Sequence, residues 1–179
     1  MSDQATAAAQ PLQPSFEQAI EVADLWCHAW EQGELSDEVL ADRVAELVAS
    51  RDGARGFFVV SLPADNPLMD RLPDPLLIVL RAAGAELVDL SVRNLAMSTA
   101  MVLEHGRSGA TEQQQGSERV QGRCRELLRL LEPALVKARL EGLLAATRGE
   151  GADLAFLERW GYDDDQRQAI AAALLSVAQ

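Results

Sequence analysis

The sequence predicts an all-α fold: a single-domain bundle of about six or seven helices around a long central helix. Three observations predict it. Only 4% of the 179 residues are aromatic while alanine and leucine dominate, a composition that favours helix over sheet. Apolar residues recur at the 3.6-residue period through most of the chain. Beyond Pro75 no proline follows until after Gly106, and Gly84 is the one glycine between them.

Taken in order, residues 1–14 (MSDQATAAAQPLQP) are small and polar with two prolines, and read as a disordered N-terminal tail ahead of a helical domain over 15–179. Ser15-Phe16-Glu17-Gln18 fits a capping box. The helix it opens sets Ala19, Ala23, Cys27 and Trp30 on one side and Glu17, Glu21, Asp24 and His28 on the other, with Gly33 as its stop. Ser36 caps a second helix reaching about Arg51, with Leu40, Val44, Leu47 and Val48 inward and Glu38, Asp42 and Glu46 outward. The Phe57-Phe58-Val59-Val60 run has strand chemistry by propensity, leaving a minor β element near 57–62 or two buried helical turns open. Four prolines over 63–75 read as a rigid loop with room for one helical turn.

From there to about 105 a continuous helix would run roughly 46 Å, against about 40 Å for a domain of this size. It is read as a central helix over 75–105, or as two broken near Gly84. A polar loop at 106–111 precedes a helix through about Leu131 carrying Val120, Cys124, Leu127 and Leu128. Pro133 separates it from a helix over 134–147. A helical hairpin, 153–160 and 164–177 about a turn at Gly161, closes the chain, with Asp163-Asp164-Asp165 as caps at the start of its second arm.

Charge narrows the function classes. The net charge is −12, and residues 15–53 hold ten acids against Arg43 and Arg51, whereas 110–148 hold seven bases against five acids. A net acid field without a basic, aromatic-interleaved stripe argues against nucleic acid as a partner. No apolar run is long enough to span a bilayer and no signal segment is seen, so a cytoplasmic location is expected. Segregated charge suits a protein partner with a basic surface, or self-association into a homo-oligomer. The acidic interaction face would comprise Glu17, Glu21, Asp24, Glu38 and Asp42.

Motifs for chemistry are sparse. His28 with Asp24 and Glu31 shares one helix face, a pattern that a solvated surface explains, and no paired Glu-x-x-His accompanies it, so no metal or cofactor is expected. Gly106-Arg107-Ser108-Gly109-Ala110 lacks the last glycine of a nucleophile elbow, and Cys27 and Cys124 lie on apolar stripes. No catalytic residue is nominated, and the chain reads as a non-enzymatic interaction module: an adaptor, assembly factor or regulator.

One stretch resists that reading. Asp89 to Leu103 mixes polar groups into the most apolar part of the chain, with Asp89 and Arg93 paired at i,i+4 and Ser91, Asn94 and Ser98 on a shared face. Buried polar groups need partners. The hydroxyls and Asn94 either satisfy neighbouring loops and helices, or they line a pocket in which Arg93, Asn94, Ser98 and Met101 hold a small ligand. A third reading takes Ala96, Ser98, Thr99 and Ala100 as a helix-to-helix interface, within the fold or across a dimer.

Overall fold

The computed structural model describes residues 13–179, and among them every regular element is helical. The tail read over 1–14 lies outside the described residues except for Gln13 and Pro14, which take no helical turn. The helices are α1 (Phe16–Glu31), α2 (Asp37–Val48), α3 (Arg51–Ser61), α4 (Asp74–Ala82), α5 (Ala85–Ser108), α6 (Thr111–Leu130), α7 (Pro133–Thr147), α8 (Leu154–Trp160) and α9 (Asp164–Ser176).

These nine exceed the six or seven expected for two local reasons. The first is the FFVV run, which is no strand. It lies inside α3, because Ser50 caps a new helix by accepting a hydrogen bond from the Gly53 amide at 3.1 Å, and α2 stops at Val48 rather than Arg51. Gly56 explains why a helix packs there: a Cβ on it would stand 2.5 Å from the Ala19 Cβ, so α3 and α1 touch nearly backbone to backbone. That close packing overrides the β preference of Phe57-Phe58-Val59-Val60. The second reason is Gly84, at φ +74° and ψ −146°. This conformation is open to glycine and ends α4, so the continuous helix over 75–105 is broken and α5 begins afresh.

Elsewhere the local signals behave as the sequence implies. Ser15 and Gln18 close a capping box on α1, Asp163 and Gln166 do the same on α9, and the proline-rich loop holds one 3₁₀ turn at Pro67–Met69. In space α1 lies on α3, while α2 packs on α3 and α4. The 24 residues of α5, about 36 Å long, pack against α6, α9, α7 and α3. Buried residues from all of these form one hydrophobic core, with Phe57, Phe58, Leu95, Leu127 and Leu143 among its fully enclosed members. No helix among the described residues is long and apolar enough to cross a membrane.

Two arginines reach across this framework. Arg123 of α6 is 6% exposed and donates to the carbonyls of Leu62 at 2.8 Å, Ala64 at 2.6 Å and Asn66 at 3.2 Å, while its Nε and Nη2 each reach Asp70 at 2.9 Å. It answers the orphan carbonyls at the C-terminal end of α3 and fastens the loop that follows. Arg139 of α7 does comparable work at the other end, gripping Asp153 through both terminal nitrogens at 2.8 and 3.2 Å and Asp89 through Nε at 3.0 Å.

Candidate functional site

The polar stretch of α5 divides into spent and unspent groups. Its hydroxyls turn back on their own helix: Ser91 donates to the Leu87 carbonyl at 2.8 Å, Ser98 to that of Asn94 at 2.7 Å and Thr99 to that of Leu95 at 2.7 Å. Their protons are thus spent within α5, and each hydroxyl oxygen can still accept a hydrogen bond. The small residues Ala96, Thr99 and Ala100 are buried within the chain, where Gln121 of α6 donates to Thr99 at 3.0 Å and Gln166 of α9 to the Ala100 carbonyl at 3.4 Å. This is an intramolecular helix interface.

Asp89 and Arg93 pair as their spacing implies, at 3.1 Å, but the pair is part of a larger hub. The Asp89 carboxylate also receives Arg51 of α3 at 3.1 Å and Arg139 of α7 at 2.8 Å. Burial disfavours its ionised form, but the charges of Arg93 and Arg139 and the hydrogen bonds from Arg51 and Arg93 outweigh that, holding its carboxyl below the usual carboxylate range. One carboxylate thus meets three guanidinium groups, of which Arg51 is also held by Glu86 at 2.7 Å and Arg139 by Asp153 at 2.8 Å.

Above this hub lies an open groove of about 640 Å³ between α1, α3, α5 and α8. Its floor is apolar, with Phe58, Leu62 and Leu90 buried beneath it. Its rim carries Arg51, Arg55, Arg93 and Arg159, and no acidic side chain lines it. Two of these cations are seated on aromatic rings: the Arg55 guanidinium carbon lies 4.5 Å from the Phe16 ring centre and that of Arg93 lies 4.9 Å from Phe156. Arg93 makes its hydrogen bond through Nε, so its terminal nitrogens have no partner among the described residues, and neither does Arg159 on the groove's rim. Asn94, on the groove wall, accepts at its backbone carbonyl from Ser98, and its side-chain amide makes no hydrogen bond among the described residues.

A shallower groove of about 380 Å³ continues from the first, sharing Pro63, Asn94, Met97 and Val120 and running on past Met101 to His105. Of the sequence-nominated pocket residues, Arg93 and Asn94 therefore stand in the main groove, while Ser98 and Met101, the latter 38% exposed, line its extension. Sequence reasoning missed Arg51, Arg55, Arg159, Phe16, Phe156 and Trp160. With 51–61 read as a helix, Arg51, Arg55 and Val59 fall one turn apart on one face, and that signal was present in the sequence.

Glu17, Glu21, Asp24, Glu38 and Asp42 are all exposed on α1 and α2. The thiols are enclosed: burial, assisted at Cys27 by Asp24, pushes its pKa up to about 11, and burial alone pushes Cys124 up to about 12. Asp163 caps α9 and receives Arg107 at 2.7 Å. Among the described residues no three His, Cys, Asp or Glu side chains converge as a metal site would require.

Comparison with curated proteins and with solved structures gave no match. Over residues 15–177, nearly the full length described above, the sequence matches a family and the chain belongs to it: the family described as Uncharacterised conserved protein UCP020893.

Proposed function

We propose that this protein is a non-enzymatic interaction module whose receiving surface is the arginine-rimmed groove over α5. The observation that carries the reading is compositional and geometric together. In a chain with 28 acids and 16 lysines and arginines, four arginines and no acid line one apolar groove. Such a surface attracts anionic groups against the field of the whole protein and offers an apolar floor to hold what they belong to. The exposed acids of α1 and α2 form a second surface, suited to a protein partner with a basic face or, head to tail, to the groove of another copy.

Two charge-reversal variants test this: Arg55→Glu with Arg159→Glu in the groove, and Glu17→Lys with Glu21→Lys, Glu38→Lys and Asp42→Lys on the outer face. Each is expected to lose a different subset of the proteins that co-purify with tagged wild type at low salt. If both variants retain the wild-type set, these surfaces only keep the protein in solution.

A small-molecule reading is favoured by one observation, the unspent side-chain amide of Asn94 beside the free nitrogens of Arg93. Native mass spectrometry of the purified protein distinguishes it. A retained adduct that disappears in Arg93→Ala with Asn94→Ala, with circular dichroism unchanged, would assign the groove to a ligand.

A further inference from the structure

Resting on the interaction-module reading of the groove, we infer that its occupant is an amphipathic α-helix of a partner protein. The helix is apolar along one face and carries its acidic residues at one end.

Length is the first argument. Leu90, Arg93, Asn94, Met97, Met101 and His105 line the two joined grooves along α5, sixteen residues from first to last and roughly 22 Å over the fifteen rises of 1.5 Å between them. A docked helix of about fifteen residues covers that distance with anchors at i, i+4, i+7 and i+11.

Polarity along the trough is the second. Arg51, Arg55 and Arg159 gather in the main groove, whereas Met97 stands at the join and the extension adds Met101 and no arginine. A helix seated there meets cations at one end and flexible thioethers, which mould to varied apolar side chains, towards the other. No acid lines either part; Glu86 and Asp52, which pair with Arg51 at 2.7 Å and Arg55 at 3.0 Å, lie outside the lining, and Arg159 and the terminal nitrogens of Arg93 are left for an acidic segment.

Openness is the third. A small ligand is ordinarily buried over most of its surface, and this trough is open to solvent along its side. A helix needs only one face covered. The rim is also prepared: Arg55 on Phe16 and Arg93 on Phe156 are held in place before any partner arrives, which lowers the ordering cost of binding.

The test uses the full chain and a displayed library of sixteen-residue helices. Leu, Phe and Met are fixed on one face, and Glu, Gln and Lys vary elsewhere. Selection on the wild-type protein, counter-selected on Arg55→Glu with Arg159→Glu, is expected to enrich clones with glutamates grouped at one end. Fluorescein-labelled versions should bind with an anisotropy change, weaken as salt rises, and lose roughly tenfold or more in affinity to the double variant. Met97→Glu, at the join of the two grooves, should lose a similar factor.

Failure of the library to enrich, or enrichment without acidic bias or arginine dependence, overturns the helix. Dodecanoate titrated in parallel separates the two readings. Arginine-dependent binding of dodecanoate without helix binding keeps the groove as a site and replaces its occupant. Binding of neither probe removes the groove reading as well. Self-association of wild type in sedimentation, abolished by Arg55→Glu with Arg159→Glu, would assign the trough to a second copy and overturn the foreign helix.

Discussion

Replacing Arg123 by methionine tests the claim that one buried cation holds α6 to the loop after α3. Methionine keeps much of the volume and spares the desolvation of a guanidinium, so the change isolates the hydrogen bonds. Four carbonyls, those of Ser61, Leu62, Ala64 and Asn66, lose donors at 2.6 to 3.4 Å. An acceptor left unsatisfied in a buried position costs about 1–3 kcal/mol. Asp70, 54% exposed at its side chain, regains water and adds little. Relief of the guanidinium's desolvation offsets part of the loss, leaving a net cost of about 3 kcal/mol. For 179 residues the unfolding entropy is roughly 0.38 kcal/mol/K, which converts that cost into a fall in Tm of about 8 °C. Differential scanning calorimetry reads the shift, and urea melts at 25 °C check it. Arg123→Lys should recover only a fraction, because an ammonium cannot span both the carbonyls and Asp70. A Tm lowered by less than about 2 °C in Arg123→Met, or full recovery by lysine, would refute the assignment.

Two further changes follow from the helix contacts. Gly56→Ala sets a Cβ 2.5 Å from the Ala19 Cβ, so α1 must shift, at about 1–3 kcal/mol in urea denaturation; Ala19→Gly in the same chain should restore part of it, and additivity would show that the two positions do not touch. Asp89 has a depressed carboxyl pKa in the fold, so its ionic contribution is present above the unfolded value of about 3.9 and is lost as pH falls through the lower folded value. Asp89→Asn should therefore be less stable than wild type at pH 7, with the gap in urea midpoint closing below about pH 4; a gap constant with pH would contradict the ionic hub.

What the sequence discloses here is local, and what it conceals is tertiary. Ser15 with Gln18, Ser36 and Asp163 announce helix starts because a cap and its target lie within one turn. The inward faces of α1, α2, α6 and α9 follow from periodicity alone. The FFVV run misleads because its local preference points to strand, while the features that decide for helix are a cap at Ser50 and the slot that Gly56 opens for Ala19, thirty-seven residues earlier. Leaving that run open between strand and helical turns also hides the groove, since Arg51 and Arg55 stand together only on a helix. Arg93 and Asn94 are legible as a polar feature of α5, but their companions come from α1, α3 and α8, and no spacing rule joins Phe16 to Arg159.

The Asp89 hub separates two accounts of how the groove would hold an acidic helix. If net charge alone governed binding, Asp89→Asn would tighten it, since the substitution removes a negative charge from beneath four arginines. The geometry argues the reverse. Arg93 takes its orientation from the Asp89 carboxylate at 3.1 Å, with its guanidinium carbon 4.9 Å from the Phe156 ring centre, whereas Arg51 divides itself between Asp89 at 3.1 Å and Glu86 at 2.7 Å. Without Asp89 the Arg93 side chain keeps its charge but regains rotamer freedom, about 0.5–1.5 kcal/mol to be given up again on binding, while Arg51 stays paired with Glu86. That is roughly two- to twelvefold in Kd. At the surface, under physiological salt, a single removed charge several ångströms below the rim returns less than that. Asp89→Asn should therefore weaken an enriched helix while its association rate holds or rises, and the loss should appear in dissociation. Stopped-flow anisotropy resolves the two rates, and a variant that binds more tightly with slower dissociation would show that the hub serves the fold alone.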